Sequence, residues 1–421
     1  MKRQNLVIII ATAIIIVAAL IAITPYLTTP TTPSTTIVTT PIQQPTKATA
    51  QTIPQQQVSE QIPEDIKEIL LKLPSYYPQD YWKIIQAAKA EGKLVIYSNY
   101  REEHLKRLIE EFNRLYPFIR VEYILLPTQQ GYERYLSEAT SGLRNVDVVQ
   151  IYDAPLVYDL LQKNLIGKYE SPEAQFYPSE YVVPGYVVAS LYGPYVITWN
   201  SKMISGDAVP LTLKDLVKAI NQSPDFWRGK IAIYDAILST SGWMHMYFYN
   251  VTYPNEWINL LRTLASAKPK YQWSAGILGD WVGKGEVILG WTLAGWIVDG
   301  IISKRYPEVK FRFPEDVIIN LLFTDFFLAR DPPRPNAAKL WIDFVLSKKA
   351  QLINVNEFGF ISTRKDISMD EVKKEWGGIK LHIDAVKGKM KLLTWKEAAV
   401  DLYQKRDYYK EIWYRIFILG G

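Results

Sequence analysis

The feature that most constrains the fold is an alternation of strand-like and helix-like segments that begins near residue 90. Residues 94–97, 121–125 and 147–152 are short runs rich in β-branched and aromatic side chains, which is typical of strands. Each run is followed by a longer stretch with helical character, and Pro117 and Gly142 mark the ends of two of these stretches. A β-α-β-α-β series predicts an α/β protein with a parallel sheet between layers of helices.

A second α/β segment follows near the middle of the chain. We expect its strands at residues 195–200, 230–234 and 286–290, and its helices at residues 214–220 and 256–267. A further long strand is expected at residues 317–323, and an amphipathic helix begins at Pro335. Ligands of such sheets bind at the carboxyl ends of the strands, so the loops that follow the strands are the first places to look for a site.

The charge and the residue types of the chain exclude several classes of function. The 421 residues carry a net charge of +5 without a clustered basic face, which gives no case for nucleic acid as a partner. The absence of Cys excludes a disulfide framework, thiolate metal ligands and a Cys nucleophile. The three His residues lie far apart and lack metal-ligand spacing, so the sequence predicts neither a metal site nor a cofactor.

The N-terminal region predicts the location of the protein. Residues 6–23 form an uncharged apolar run that would span about 27 Å as a helix, close to the hydrocarbon thickness of a bilayer. Lys2 and Arg3 precede the run and orient the remainder of the chain outside the cell. We expect residues 1–27 to be a single-pass membrane anchor, with a cleaved secretory signal as the alternative. Residues 28–63, rich in Thr, Pro and Gln, are expected to be a disordered linker.

Four stretches of the chain occur in an order that is typical of one family. They are AEGKLVIYSNYREEHLKRLIEEFNRLYP from residue 90, DVVQIYDAP from residue 147, YGPYVITWNSKMI from residue 192 and RPNAAKLWIDFVLSKKAQLINVNEFGFISTRKDI from residue 334. GKIAIYDAILSTSGW and GKGEVILGW fit between them. Over residues 90–367 the chain resembles the extracellular solute-binding proteins of ABC importers, in the iron(III)/thiamine/polyamine-like family with a periplasmic-binding-protein-like type II fold.

The resemblance implies two α/β lobes joined by crossing strands, with a small-molecule ligand in the cleft between them and ABC permease subunits as partners. We expect one lobe in residues 64–196 and 318–367 and the other in residues 197–317, with crossings near residues 196–200 and 311–318. Residues 368–421 are expected to form a C-terminal helical extension. The lobes would close around the ligand by a hinge motion.

One departure from the family pattern bears on the ligand. Family members that bind bare iron(III) carry an adjacent Tyr-Tyr pair just after the stretch that matches GEVILG. This chain has WTLAGW at that place, in residues 291–296. The resemblance therefore favours an organic solute, such as a sugar, an amine or a small phosphorylated compound, over ferric iron.

Loops after the strands of the first segment supply one set of candidate ligand-binding residues. Ser98, Asn99 and Arg101 follow the first strand, and Tyr152 and Asp153 follow the third. Ser98 and Asn99 can donate hydrogen bonds, Arg101 can pair with an anionic group, and Asp153 can bind a cation. The alternative is that Ser98, Asn99 or Asp153 only caps a helix and that Arg101 is solvated.

The second segment supplies the remaining candidates. Ser239 and Ser241 place small hydroxyl groups before and at the expected start of a helix. Trp243, Trp291 and Trp296 can form an aromatic platform for a sugar face or an organic cation. For each Trp the alternative is a place in the hydrophobic core.

Together these features predict a surface-anchored substrate-binding protein that captures a small solute and delivers it to an ABC transporter permease. The alternatives are a sensory ectodomain that binds ligand without import and a glycoside hydrolase with a carboxylate pair in the cleft. The sequence has no G-x-S-x-G, H-E-x-x-H or G-x-x-x-x-G-K-[ST] motif, so we expect no enzymatic activity.

Overall fold

The computed structural model describes residues 62–324 and 326–420. The predicted membrane anchor (residues 1–27) and all but the last two residues of the predicted linker lie outside these ranges. Within them, no helix combines the length and the apolar character that a membrane crossing requires.

Strands and helices are numbered here in chain order. The strands are β1 Lys93–Ser98, β2 Arg120–Leu125, β3 Val148–Val149, β4 Val182–Val183, β5 Val187–Val188, β6 Leu191–Asn200, β7 Ile231–Tyr234, β8 Lys270–Gln272, β9 Leu289–Ala294, β10 Val309–Arg312, β11 Asn320–Phe323, β12 Phe327–Leu328, β13 Ile361–Ser362, β14 Glu375–Trp376 and β15 Ile379–Lys380. The α-helices are α1 Glu64–Leu70, α2 Tyr81–Glu91, α3 Glu102–Leu115, α4 Thr128–Thr140, α5 Ala154–Gln162, α6 Leu213–Gln222, α7 Pro224–Trp227, α8 Thr240–Thr252, α9 Trp257–Ser266, α10 Ala275–Gly283, α11 Gly295–Ile297, α12 Ser303–Arg305, α13 Pro335–Leu346, α14 Lys348–Phe358, α15 Ile383–Val386 and α16 Leu402–Trp413. Segments Val298–Ile302, Lys396–Asp401 and Tyr414–Leu419 are π-helical.

The first sheet has the strand order β12-β3-β1-β2. Strand β1 runs parallel to both β2 and β3, and β12 joins β3 in the antiparallel sense. Strand β1 is buried on both faces beyond its first residue, which explains why its sequence is a continuous apolar run. The carboxyl ends of β1, β2 and β3 therefore lie at one edge of the sheet, where the loops to α3, α4 and α5 begin.

The second sheet is organised around β6, whose ten residues are all buried. Its first part, through Pro194, pairs with β11 and β13, and its second part, from Tyr195, pairs with β9 and β10. Strand β7 runs parallel to β8 and β9 at the other side of this sheet. After β11 the chain leads directly into β12, so it returns from the second sheet to the first within a few residues.

Several strands differ in their bounds from the sequence prediction. The strand expected at residues 147–152 is β3, which is only Val148–Val149, and the strand expected at residues 195–200 is β6, which begins four residues earlier at Leu191. The strand expected at residues 286–290 is β9, and it begins only at Leu289 because the N–H groups of Glu286 and Val287 bond to the Trp281 carbonyl and complete the turn after α10. It continues to Ala294 because residues up to that point pair with β6, across a bulge in which Thr292 has a φ of 54°. The strand expected at residues 317–323 is β11, which begins at Asn320.

A buried ion pair connects the segment after β13 with the loop before β4 and with the end of α13. The Arg364 guanidinium donates to Glu173 Oε2 at 2.5 Å and to the Leu346 carbonyl at 2.8 Å, and the Arg364 and Glu173 side chains are almost inaccessible to solvent. Glu173 Oε1 also accepts hydrogen bonds from the hydroxyls of Tyr76 and Tyr77. The network links the segment before α2, the loop before β4 and the segment after β13.

The C-terminal residues pack against elements of both sheets. The π-helical segment Lys396–Asp401 contacts α5, which follows β3 of the first sheet, and α16 contacts α8, which follows β7 of the second sheet. Tyr409 and Trp413 anchor α16, because both are almost fully buried. The segment is thus an integral part of the described fold rather than an appendage.

Candidate functional site

Loops from the two sheets meet at a cavity of about 550 Å³. The first sheet contributes the start of α4 and the β3–α5 loop, the second sheet contributes the β7–α8 loop, and α16 supplies a further wall. The residues that line the cavity are Gln129, Tyr132, Asp153, Pro155, Leu156, Ile237, Leu238, Ser239, Thr240, Trp243, Tyr403, Arg406 and Lys410. Three of the ten predicted site residues, Asp153, Ser239 and Trp243, are among them.

Asp153 stands where β3 passes into α5, and it makes a polar contact between elements that follow the two sheets. The Thr240 hydroxyl, at the start of α8, donates to Asp153 Oδ2. Asp153 is 6% exposed, and its Oδ1 has no hydrogen-bond partner among the described residues. Burial raises the pKa of the Asp153 carboxyl above its ordinary value, while Thr240 and the N–H of Leu156 oppose this shift. Asp153 therefore contributes a carboxyl group to the cavity lining, of which one oxygen, Oδ1, is closed to solvent and has no partner among the described residues.

The start of α8 forms the opposite wall. Ser239 is the N-cap of this helix, and its hydroxyl oxygen accepts a hydrogen bond from the Gly242 N–H at 3.0 Å. Gly242 lies against the backbone of the loop after β7, where an added Cβ would come within 2.4 Å of the Asp235 carbonyl oxygen. This close approach holds the first turn of α8, and with it Thr240 and Trp243, at the cavity.

Substitution of Gly242 with Ala tests how tightly this wall is held. We expect a loss of about 1–3 kcal/mol in the free energy of unfolding, because the new methyl group meets backbone atoms that cannot move aside independently. Urea denaturation of the two proteins measures the difference. Gly276→Ala in α10 is the matched control, since a Cβ there would lie 3.7 Å from the Ser274 hydroxyl and should cost nothing. Equal effects of the two substitutions would contradict the close approach.

Helix α16 places two cationic side chains on the cavity. The Arg406 guanidinium donates to Asp407 Oδ1 at 3.0 Å and lies 4.6 Å from the centre of the Tyr403 ring. Lys410 is half-buried and has no hydrogen-bond or ion-pair partner among the described residues. Burial and the charge of Arg406 lower the pKa of the Lys410 ammonium, against weaker opposing effects of Asp407, Asp153 and Asp235.

Ser98 and Asn99 form a hydrogen-bond cluster at the end of β1. The Ser98 hydroxyl donates to Gln150 Oε1 at 2.9 Å, and the Asn99 N–H donates to the same oxygen at 3.1 Å. The Asn99 amide nitrogen donates to the Thr128 hydroxyl at 2.6 Å. Asn99 Oδ1 and Gln150 Nε2 remain buried without a partner among the described residues. The cluster joins the ends of β1, β2 and β3 and leaves one acceptor and one donor available.

Arg101 lies at the contact between the first sheet and the segment after β9. Its guanidinium pairs with Glu103 at 2.8 Å and lies 5.9 Å from the centre of the Phe358 ring. The guanidinium also lies against Gly300 of the π-helical segment, where a Cβ would come within 2.6 Å of it. The absence of a side chain at Gly300 thus leaves room for Arg101 at this contact.

An aromatic cluster contains Tyr152 and Trp296. The Tyr152 ring lies 4.3 Å from Phe323 of β11, and the Trp296 ring lies 5.2 Å from the same Phe323 and 5.5 Å from Tyr195. The Tyr195 and Ser241 hydroxyls are 2.6 Å apart, which connects β6 to the start of α8. These residues pack against β6 and β11, near the point where the chain passes between the two sheets.

Trp291 occupies a different environment. It is 2% exposed, and its indole N–H donates to the Tyr249 hydroxyl at 2.9 Å inside the second sheet's helix layer. It does not line the cavity. The structure therefore places Trp291 in the core, which was the alternative for each Trp.

Several residues that line the cavity were not identified from the sequence. Thr240 lies between Ser239 and Ser241 and carries the same kind of small hydroxyl group, so the same local signal marks it. Tyr132 lies among apolar residues with helical spacing, which indicates a helix rather than a site. Arg406 and Lys410 follow the region of resemblance by about forty residues, and no local pattern marks them as facing a site.

Two other depressions of comparable size occur on the described surface, and one of them is larger than the cavity. One of about 390 Å³ lies between the segment after α1 and the ends of α3 and α13, and one of about 720 Å³ lies beside the segment 169–184. Neither collects the strand-end loops of both sheets. No cluster of three or more His, Asp or Glu residues with metal-binding geometry occurs in the part of the chain that the structure describes.

The fold is similar to solved structures of transport proteins. The substrate-binding protein of an ABC transporter from Agrobacterium tumefaciens has a TM-score of 0.67 at 18% identity, over 78% of this chain and 96% of that chain. AfuA from Actinobacillus pleuropneumoniae, with exogenous fructose-6-phosphate bound, has a TM-score of 0.60 at 16% identity, over 78% and 99%. Iron-bound HitA from Pseudomonas aeruginosa has a TM-score of 0.59 at 15% identity, over 76% and 98%. At these identities the likeness shows the fold alone.

The protein has a periplasmic-binding-protein-like α/β fold, as the sequence resemblance predicted. The sequence profile of the family described as "Bacterial extracellular solute-binding protein" matches residues 144–375, which is more than half of the chain. The chain belongs to this family, and the predicted resemblance is confirmed. No curated protein sequence matches the chain significantly.

Proposed function

We propose that this protein captures a small solute in the cavity between its two sheets and delivers it to the permease of an ABC importer. The observation that carries the proposal is the cavity of about 550 Å³, because strand-end loops from both sheets line it together. Such loops are where open α/β sheets bind ligands. The polar side chains in the lining, Asp153, Ser239, Thr240, Arg406 and Lys410, support the same assignment, since they offer a ligand a few polar partners among apolar walls.

The proposal divides the chain into two lobes, residues 64–196 with 318–367 and residues 197–317. The first lobe would hold the whole first sheet together with β11 and β13 of the second sheet, and the second lobe would hold β7, β8, β9 and β10. Strand β6 and the segment between β10 and β11 connect them, and the bond between Asp153 and Thr240 lies where they meet. Opening and closing of the lobes about these connections would admit and enclose the solute.

The membrane association and the solute are parts of the same proposal. Residues 6–23 would hold the protein at the outer surface of the cell membrane, beside the permease. The solute is a sugar, an amine or a small phosphorylated compound, and ferric iron is disfavoured because WTLAGW stands where iron-binding relatives carry two adjacent Tyr residues. Ser98, Asn99, Arg101, Asp153, Ser239, Ser241, Trp243 and Trp296 would bind it or shape its site.

Capture of a solute is favoured over hydrolysis by the composition of the cavity. Asp153 is the only carboxylate among the described residues that line it. Glycoside hydrolysis ordinarily uses two carboxylates that flank the scissile bond. One buried acceptor beside hydroxyl, aromatic and cationic groups suits recognition of a ligand rather than a reaction on it.

A thermal-shift screen of the purified full chain, in mild detergent because of the apolar N-terminal run, tests this function. Sugars, polyamines, thiamine-like cations, phosphate esters and ferric chelates form the panel. A solute at 100 times its dissociation constant should raise the free energy of unfolding by about 2.7 kcal/mol.

The substitution Asp153→Asn tests where that solute binds. It should raise the dissociation constant of the solute about tenfold, because it removes the charge of a buried acceptor. Asp225→Asn, at a fully solvent-accessible side chain, is the control.

Two results would contradict the proposal. The first is a panel in which no class of compound stabilises the chain. The second is a solute whose affinity is the same for the unsubstituted chain and for Asp153→Asn, because it would bind away from the cavity.

A further inference from the structure

The wall formed by α16 is a part of the cavity that the family match does not include. The match ends at residue 375, whereas Tyr403, Arg406 and Lys410 lie beyond it. Helix α16 is held in place by the buried Tyr409, whose hydroxyl accepts a hydrogen bond from the Asn250 amide of α8 at 3.1 Å. The wall is therefore fixed to the second sheet's helices rather than loosely apposed to them.

The charges on this wall have a definite arrangement. Arg406 and Lys410 are four residues apart, so they lie on one face of α16, and both line the cavity. Arg406 pairs with Asp407, whose side chain is 82% exposed, and lies over the Tyr403 ring, whereas the Lys410 side chain has no ion-pair partner among the described residues. Two like charges at this spacing repel each other, and an anion bound beside both would offset the repulsion.

Asp153 brings the opposite charge to the same lining. It accepts from the Thr240 hydroxyl, and its Oδ1 oxygen, which is closed to solvent in this structure, has no hydrogen-bond partner among the described residues. A ligand that carried only an anionic group would leave this acceptor unsatisfied. A ligand that carried only donors would leave Lys410 without an anionic partner.

We propose, on the basis of the function given above, that α16 supplies an anion-binding half of the solute site. Arg406 and Lys410 bind a phosphate or carboxylate group, and Asp153 accepts a hydrogen bond from a hydroxyl or ammonium group of the same molecule. The solute is thus a small organic anion with a separate hydrogen-bond donor. The segment beyond the family match determines this selectivity.

Calorimetric titration of the full chain with matched probes tests the inference. Glucose 6-phosphate, glucuronate and glutamate carry an anionic group and a donor, whereas glucose and spermidine lack the anionic group. We expect at least one of the three anions to bind, with an affinity that falls as the ionic strength rises, since part of the interaction is between charges. The probe with the highest affinity then shows whether the site prefers a phosphate or a carboxylate group.

Substitutions on α16 locate the interaction. Arg406→Gln and Lys410→Gln should each raise the dissociation constant of the anion by about 10-fold to 100-fold, because each substitution removes a charged hydrogen bond. Lys405→Gln is the matched control, since Lys405 is exposed on the same helix and does not line the cavity. Unchanged melting temperatures of the variants would show that the fold is intact, and Arg406→Lys should retain part of the affinity.

The outcomes separate the inference from the proposed function. Binding of glucose or spermidine without binding of any anion would overturn the inference and leave solute capture standing. If an anion binds and neither Arg406→Gln nor Lys410→Gln changes its affinity, the inference is likewise overturned and solute capture still stands. If none of the five probes binds, the inference is also overturned, and the wider panel decides the proposed function separately.

Discussion

Replacement of Arg364 with Met will lower the free energy of unfolding by about 3–5 kcal/mol, because it leaves the Glu173 carboxylate buried without its cationic partner. The Arg364 and Glu173 side chains are 1% and 0% exposed, and the guanidinium also forms two bonds to Asp366, at 2.6 and 3.1 Å. It lies 4.3 Å from the centre of the Phe176 ring as well. Denaturant unfolding followed by circular dichroism measures the loss.

The double substitution Arg364→Met with Glu173→Gln is the informative control for this prediction. It removes both charges, so it should recover part of the loss, although Tyr76 and Tyr77 still donate to the residue at position 173. Lys67→Met breaks an exposed ion pair with Glu64 and should change stability little. A loss for Arg364→Met as small as that for Lys67→Met would show that the pair is not buried.

Replacement of Trp413 with Ala will also have a large effect, with an expected loss of about 3–5 kcal/mol in the free energy of unfolding. Trp413 is 1% exposed, and its ring lies 5.1 Å from Tyr271 of β8 and 5.4 Å from Phe417. Removal of the indole would leave a cavity where α16 packs on the second sheet. Thermal and urea denaturation of the full chain measure the loss.

The neighbouring Tyr414 provides the control for Trp413. Its side chain is 42% exposed, so Tyr414→Ala should cost far less than Trp413→Ala. If the two substitutions had the same small effect, α16 would not be part of the folded unit, and its contribution to the cavity would have no structural basis.

The first sheet was predictable from the sequence because its signals are local. Residues 94–97 lie within β1, which is buried and therefore a continuous apolar run, and residues 121–125 lie within β2, a half-exposed strand marked by its β-branched and aromatic residues. The Pro and Gly residues that end the helices act within one turn of their own position. The ends of these helices could therefore also be predicted from the sequence. The β3–α5 loop followed from the same pattern, which is why Asp153 was identified.

The second sheet was harder to predict because its bounds depend on pairing between distant residues. Strand β9 extends to Ala294 because it pairs with β6 about a hundred residues earlier, and the bulge at Thr292 is invisible in the local sequence. The predicted strand therefore ended four residues early. Tertiary pairing of this kind overrides the local apolar pattern.

The candidate site was predictable only in part, for the same reason. Asp153, Ser239 and Trp243 follow strands or begin a helix, and their positions along the chain indicated a role. Arg406 and Lys410 reach the cavity because Tyr409 and Trp413 dock α16 against α8, α9 and β8. A helix with exposed charges and buried aromatics is common on protein surfaces, so its sequence alone carries no indication of a ligand.

The central claim is that a small solute binds in the cavity between the two sheets. A crystal structure of the full chain with the most strongly stabilising compound of the screen tests it most directly. We predict that the solute lies between the β3–α5 and β7–α8 loops, within hydrogen-bond distance of Asp153 and in contact with α16. A solute found in the depression beside residues 169–184, or in the one between α3 and α13, with the cavity between the sheets unchanged, would contradict the account.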